Sequence, residues 1–209
     1  MIESQEFQEP LVNTEQRILD AAKLLFVQKG MDGTKMQDIA DSAKISRTSL
    51  HYYFRSKQKL FEAVFYDQFD RFLPRVTKIM EQEITFEARL GQFVDKYLDL
   101  FLANPYLPNF MMNELNRDPE KMIELFAGEG LFSKRVREQV EGELRLMNPS
   151  LEASHFILNL ISLCVFPFIA RPMVKAFLIN GEKDAFSHFI RERRAIIVDT
   201  LMCSINDAK

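Results

Sequence analysis

The sequence predicts an all-α protein, and three observations carry that expectation. Glycine and proline are scarce, seven and eight among 209 residues, so few positions interrupt a helix. Apolar residues recur at three- and four-residue steps along almost the whole chain, the spacing of one helical face. Alternating β-branched runs bounded by turn dipeptides, the pattern of strands, do not occur. With 47% hydrophobic residues and a net charge of −3, the chain can bury a core and is not of the disordered class.

Membrane and secretory classes are also disfavoured. The longest apolar run, 156–170, is interrupted by Asn159, Ser162 and Pro167 and falls short of the roughly 18 residues of a span. The first residues, MIESQEFQEP, lack the basic and apolar regions of a signal peptide. Cys164 and Cys203, each in an apolar helical context, suit a reducing compartment better than a disulfide framework. The expectation is a cytoplasmic protein with no membrane partner.

The elements follow in order. Residues 1–13 read as a tail, with Asn13 placed to cap the first helix and Gln16 to complete a capping box. Ile18, Leu19, Ala22, Leu25 and Phe26 form its apolar face, and Gly30 ends it. Thr34 is a natural N-cap for a second, short helix through Met36, Ile39, Ala40 and Ala43. Lys44, Ile45 and Ser46 form a tight turn, and a third helix runs from Arg47 to Phe54. Ser56 caps a longer fourth helix that contains Pro74, a position expected to kink it. Thr85 starts the next helix, which ends before Asn104. Helices follow at 108–116, 119–127 (Asp118 as cap), 131–147, 150–170 and 184–205. Arg171-Pro172 and Asn180-Gly181 mark breaks between the last two.

Charge is unevenly spread. Residues 14–61 hold nine Lys/Arg against five Asp/Glu, a net +4, whereas the tail and the remainder are acidic. A basic segment on an acidic body suits contact with a polyanion, although surface variation of this size also occurs by chance. Within that segment, two short helices meet at a three-residue turn, the requirement of a helix-turn-helix. Ala40 is small where the helices approach, and Ile45 can plug the angle between them. Leu50 and Phe54 face inward, leaving Thr48, Ser49, His51 and Tyr52 on the other side. A short, polar, hydrogen-bonding face fits a major groove, or is simply the solvated side of a small bundle.

The stretch TEQRILDAAKLLFVQKGMDGTKMQDIADSAKISRTSLHYYFRSKQKLFEAV, residues 14–64, resembles the tetracycline-repressor (TetR) family of bacterial transcription regulators. The matching parts are ILDAAKLLF, Gly30 followed by Thr34, IADSAKIS across the turn, and LHYYFRSKQKLF. The resemblance implies a three-helix DNA-binding head (14–61) and a larger helical body (62–209) that binds a small effector and dimerises. By position, Arg47, Thr48, Ser49, His51 and Tyr52 would lie on the recognition helix, and Thr34, Tyr53 and Lys57 would contact phosphates. Thr34 and Lys57 also stand at expected helix N-termini, where amides and dipole favour an anion. Tyr53, beside Phe54, fits a half-buried core position equally well. One departure is Lys44, where such families usually carry glycine. If this position needs positive φ, lysine costs up to about 1 kcal/mol relative to glycine.

The partners so implied are double-stranded DNA, a small-molecule effector and a second copy of the chain. The segments 150–170 and 184–205 are the expected two-fold interface. Phe65, Phe69, Phe72, Phe93, Tyr97, Phe101, Phe110, Met111 and Phe126 are candidates to line an apolar effector pocket, with Tyr97, Asn113 or Arg71 as polar anchors. They serve as well to fill the core of a domain without tryptophan. No cofactor is implied. His51, His155 and His188 are isolated, so no metal site is expected, and neither a G-x-S-x-G elbow nor a phosphate-cradling glycine loop occurs. The competing reading is an all-helical enzyme or interaction module whose head no longer binds DNA.

Overall fold

The computed structural model describes residues 11–128, 130, 132–179 and 184–206. Among these, eleven helices and no strand are present: α1 (Leu11–Gly33), α2 (Met36–Ser42), α3 (Arg47–Tyr53), α4 (Lys57–Met80), α5 (Phe86–Ala103), α6 (Leu107–Arg117), α7 (Pro119–Gly128), α8 (Lys134–Met147), α9 (Ala153–Ile169), α10 (Arg171–Phe177) and α11 (Ala185–Asn206). The all-α expectation holds. The chain divides into two compact units, the first ending at Phe69 and the second beginning at Asp70.

In the first unit α1 packs on α2, and α2 on α3. The start of α4 pairs with α1: the Phe26 and Phe61 rings meet edge-on at 4.8 Å, and Lys23 Nζ donates to Gln68 Oε1 at 2.5 Å. The small core is Ile18, Ala22, Phe26, Ile39, Ala40, Leu50, Leu60, Val64 and Phe65, all essentially closed to water. One expectation fails here and one holds. Residues 11–13 are already helical, so Asn13 lies inside α1 instead of capping it. Gly30 does interrupt the helical geometry, at φ 70° and ψ 174°, a region that only glycine occupies readily.

In the second unit α5 turns one face, Leu90, Phe93, Val94, Tyr97, Leu98 and Phe101, into the core and packs against α9 and α11. Aromatic rings run through this core in sequence. Phe72 meets Tyr97 at 5.4 Å, Tyr97 meets Phe101 at 5.0 Å, Phe101 meets Phe168 at 5.3 Å, and Phe168 meets Phe186 at 5.6 Å. Ion pairs fasten the outside: Arg194 of α11 holds Asp95 and Asp99 of α5. Arg89 is buried, pairs with Glu143 of α8, and donates to the carbonyls of Gln82 and Ile84 at 3.0 and 2.8 Å. It thereby satisfies backbone groups left open after α4 ends.

The caps expected at Ser56, Thr85 and Asp118 form: each side chain accepts a backbone N–H three residues on. The break expected at Arg171-Pro172 is present, and it also opens a helix that was not expected, α10. Proline at the first turn lacks an N–H that would be unsatisfied there anyway, so it opens a helix as readily as it ends one. α10 leaves α9 at 74°. The other expected break, Asn180-Gly181, lies outside the described residues. Among the described residues no single helix is long and apolar enough to cross a membrane, and no cluster of His, Cys, Asp and Glu could hold a metal ion.

Candidate nucleic-acid interface

The turn between α2 and α3 is set by backbone hydrogen bonds. Ile45 N donates to Ala40 O at 3.0 Å and Lys44 N to Asp41 O at 3.1 Å, the paired bonds of a Schellman C-cap. That motif requires a left-handed residue just past the helix, and Lys44 supplies it at φ 56°. Ser46 then caps α3, accepting from Ser49 N at 2.9 Å while its hydroxyl bonds Ser49 Oγ at 2.8 Å. Arg17 of α1 ties the turn down by donating to Ala43 O at 2.8 Å.

This geometry fixes how α3 is presented. Leu50 is fully buried and Phe54 nearly so, which turns Arg47, Thr48, His51 and Tyr52 outward; Tyr52 is 81% exposed. Tyr53 is half-buried, with its ring edge-on to Tyr52 at 5.5 Å. Ser49 is also half-buried, and its hydroxyl is occupied by Ser46, so it has less freedom to meet a base than Thr48. The outward set is small and hydrogen-bonding, with one arginine, the composition that reads base edges and phosphates.

Two expected phosphate contacts are corrected. Thr34 is 1% exposed, and its hydroxyl donates to Gly30 O at 2.7 Å and Leu25 O at 3.2 Å. It bonds carbonyls on either side of the approach to the glycine break in α1, and the residue flanking α2 is Lys35, whose side chain makes no capping bond. Lys57 points into the same junction, its ammonium donating to Met31 O at 2.8 Å and Thr34 O at 3.1 Å. Thr34 and Lys57 together hold the α1–α2 connection to the start of α4. Sequence alone placed both at helix N-termini without showing that the connection would draw them inward. Conversely, Lys35, Lys44 and Arg55 are exposed around α3, visible in the sequence only as part of the basic balance. Lys29 pairs with Asp38 at 2.8 Å, and this lysine holds the Asp38 carboxyl below its usual range.

The effector candidates separate. Phe65 and Phe69 meet at 4.6 Å, tilted by 38°, in the first unit, apart from the other candidates. Phe72, Phe93, Tyr97, Phe101, Phe110 and Met111 are buried in the second, and Phe126 is half-buried with its ring 6.0 Å from Phe132. Phe93 borders a void of about 10 Å³, too small for any ligand, and Phe101 one of about 60 Å³. Asn113 and Arg71, expected as polar anchors, stand at the surface.

Comparison with known proteins agrees with this head. Residues 18–64 match the family model of bacterial regulatory proteins of the tetR family. The chain resembles the TetR family in this segment. It is 29% identical over 163 residues to YttP of Bacillus subtilis, named as an HTH-type transcriptional regulator, covering 76% of this chain and 78% of that one. A shorter match, 48% over 46 residues, covers 22% of this chain and 25% of IcaR, a biofilm-operon HTH-type negative transcriptional regulator of Staphylococcus aureus. Among solved structures, a TetR-family transcriptional regulator from Mesorhizobium loti shares the fold with a TM-score of 0.62 at 18% identity, covering 94% of this chain and 98% of that one. FadR of Bacillus subtilis, solved in complex with stearoyl-CoA, shares it with a TM-score of 0.56 at 14% identity, covering 89% and 96%. On these likenesses the chain is a DNA-binding transcriptional regulator, and the reading as an enzyme or interaction module is not favoured.

Proposed function

We propose that the protein is a repressor that binds a palindromic operator as a homodimer and leaves it when a small apolar or amphipathic effector binds the body. The observation that carries the DNA-binding part is the outward face of α3, where Arg47, Thr48, His51 and Tyr52 project while Leu50 anchors the helix from below. Thr48, His51 and Arg47 are assigned to base edges and adjacent phosphates, and Tyr52 and Tyr53 to the backbone. On this reading the chain catalyses nothing and acts in the cytoplasm, where the DNA is.

Dimerisation is supported by apolar side chains left at the surface of α9 to α11: Leu158, Phe166, Met173, Phe177 and Ile196 are each more than half exposed. A surface this apolar is costly in water and characteristic of an interface. Facing α9 and α11 across a two-fold axis would cover them and bring two heads to successive half-sites. Effector control is supported by the aromatic body and by stearoyl-CoA in FadR, a protein of the same fold. Release then needs only an effector that prefers the conformer with the wrong head separation.

Selecting duplexes from a randomised library with the purified protein tests the reading. The expected result is a palindromic consensus, with two chains per duplex by light scattering. A consensus without two-fold symmetry, or one chain per duplex, would overturn the dimeric part. Acyl-CoAs of graded length, screened for loss of the complex, test the effector class; release only by small hydrophilic ions would refute it.

A further inference from the structure

We infer that Lys44 is an anchor for the DNA backbone, built on a turn position that conformational energy reserves for glycine. The inference rests on the DNA-binding function of the head and adds to it a contact outside the recognition helix.

In the C-cap of α2, Lys44 is the left-handed residue, at φ 56°, with its own N–H bonded to Asp41 O and that of Ile45 to Ala40 O. A Cβ in this region crowds the following carbonyl, so lysine is less favourable there than glycine. Asparagine and aspartate can offset that strain with local side-chain hydrogen bonds, and lysine cannot. Among the described residues the only other non-glycine residue with positive φ is an aspartate, Asp184.

The side chain gives no structural return. Lys44 is exposed and makes no side-chain hydrogen bond or ion pair with any described residue. Most other cations of the head are engaged: Arg17 with Ala43 O, Lys23 with Gln68, Lys29 with Asp38, Lys57 with Met31 O and Thr34 O, Lys59 with Glu62. A strained, unpartnered lysine on a small head is a charge held out for something absent from the fold.

Its position says what. In a helix-turn-helix the first helix crosses the phosphate backbone and the second enters the groove, so the turn between them lies over the groove edge. Lys44 sits in that turn, three residues before α3 begins at Arg47. A lysine there presents a mobile point charge to phosphate oxygens, a contact that fixes register and carries no base information. With the Thr34 hydroxyl buried and the Lys57 ammonium engaged by carbonyls, this contact adds a charge that the fold leaves unoccupied.

The test uses the full chain and two DNA probes of about 30 base pairs, one of random sequence and one selected from a randomised library. Lys44→Gly should weaken both complexes several-fold by similar factors and lower the salt slope of log K by about one unit. Its melting temperature should stay level or rise. Lys44→Asn, which tolerates the left-handed region without a charge, should match Lys44→Gly on DNA, and Lys44→Arg should restore the wild-type slope. An unchanged slope in Lys44→Gly would overturn the inference. So would a loss confined to the selected duplex, or a loss that tracks a lowered melting temperature. If the wild-type chain binds neither duplex, the DNA-binding function itself falls, which is a different result from intact binding indifferent to Lys44.

Discussion

The head and the body use their polar side chains differently. In the head, Thr34 and Ser46 bond to backbone groups within one to three turns of chain, and Arg17 and Lys57 reach backbone carbonyls at neighbouring helix ends. In the body, Arg89 and Arg194 tie together helices dozens of residues apart, and an aromatic series fills the space between them. A head built from local caps is specified by short sequence patterns that tolerate little change. A body built from packing accepts any residues that fill the volume. This fits the pattern of likeness, in which the family model matches residues 18–64 while whole-chain structural neighbours share 14–22%.

The largest expected effect lies in the body. Arg89→Ala removes the partner of Glu143 and uncaps the carbonyls of Gln82 and Ile84, leaving a poorly solvated carboxylate and two bare acceptors. Breaking a buried pair from one side costs about 3–5 kcal/mol, toward the lower end here because Glu143 retains 28% exposure. Urea unfolding should show it as a lower midpoint. Arg194→Ala, on a pair whose carboxylates are about half exposed, should cost well under about 1 kcal/mol. Equal costs for the two would mean that the body's ion pairs are not graded by burial.

Glycine-to-alanine substitution should have opposite signs in the two regions. A Cβ at Gly30 or at Gly142 would touch nothing within 4 Å, so packing is the same and only backbone remains. Gly30 holds φ 70° and ψ 174°, where alanine costs about 1–3 kcal/mol, whereas Gly142 is an ordinary position inside α8, where alanine should gain about 1 kcal/mol. Thermal melts of both variants check this. Stabilisation by Gly30→Ala would show that the α1 break is dispensable.

What could be read from the sequence follows the same division. The helix-turn-helix, the inward Leu50 and Phe54, the caps at Ser56, Thr85 and Asp118, and the left-handed demand at Lys44 were legible because each is a local pattern. The inward turn of Thr34 and Lys57 was not, since it depends on where the α1–α2 connection passes. α10 was missed because Arg171-Pro172 reads alike as an end and as a beginning. In the body, no spacing distinguishes an aromatic that packs in the core from one that lines a cavity.

Thr34→Val sharpens the reading of the head. It keeps the shape and removes a hydroxyl that serves Leu25 O and Gly30 O, at a cost of about 1–2 kcal/mol, with the salt slope of DNA binding unchanged. Thr48→Val, at an exposed position, should leave stability within about 0.5 kcal/mol and alter sequence preference. A lowered salt slope in Thr34→Val would return that residue to the phosphates.

The smallest effect is an alkaline one, confined to the body. Burial pushes the Cys164 thiol up to about 12 from 9.0, and burial together with the neighbouring Cys164 raises the Tyr97 phenol above its usual value of 10.0. Both groups are neutral in the folded core. In the unfolded chain the thiol loses its proton from about pH 9, so between there and about pH 12 the unfolded state binds fewer protons and stability falls as pH rises. The contribution is complete below pH 9 and gone above the folded value. Cys164→Ala should therefore give a shallower alkaline limb in a series of urea midpoints, and Tyr97→Phe should flatten the limb at still higher pH. In the native protein the exposed Cys203 should react with a thiol reagent first, and Cys164 only as the body opens. An alkaline limb that keeps its slope in both variants would place the titrating groups elsewhere.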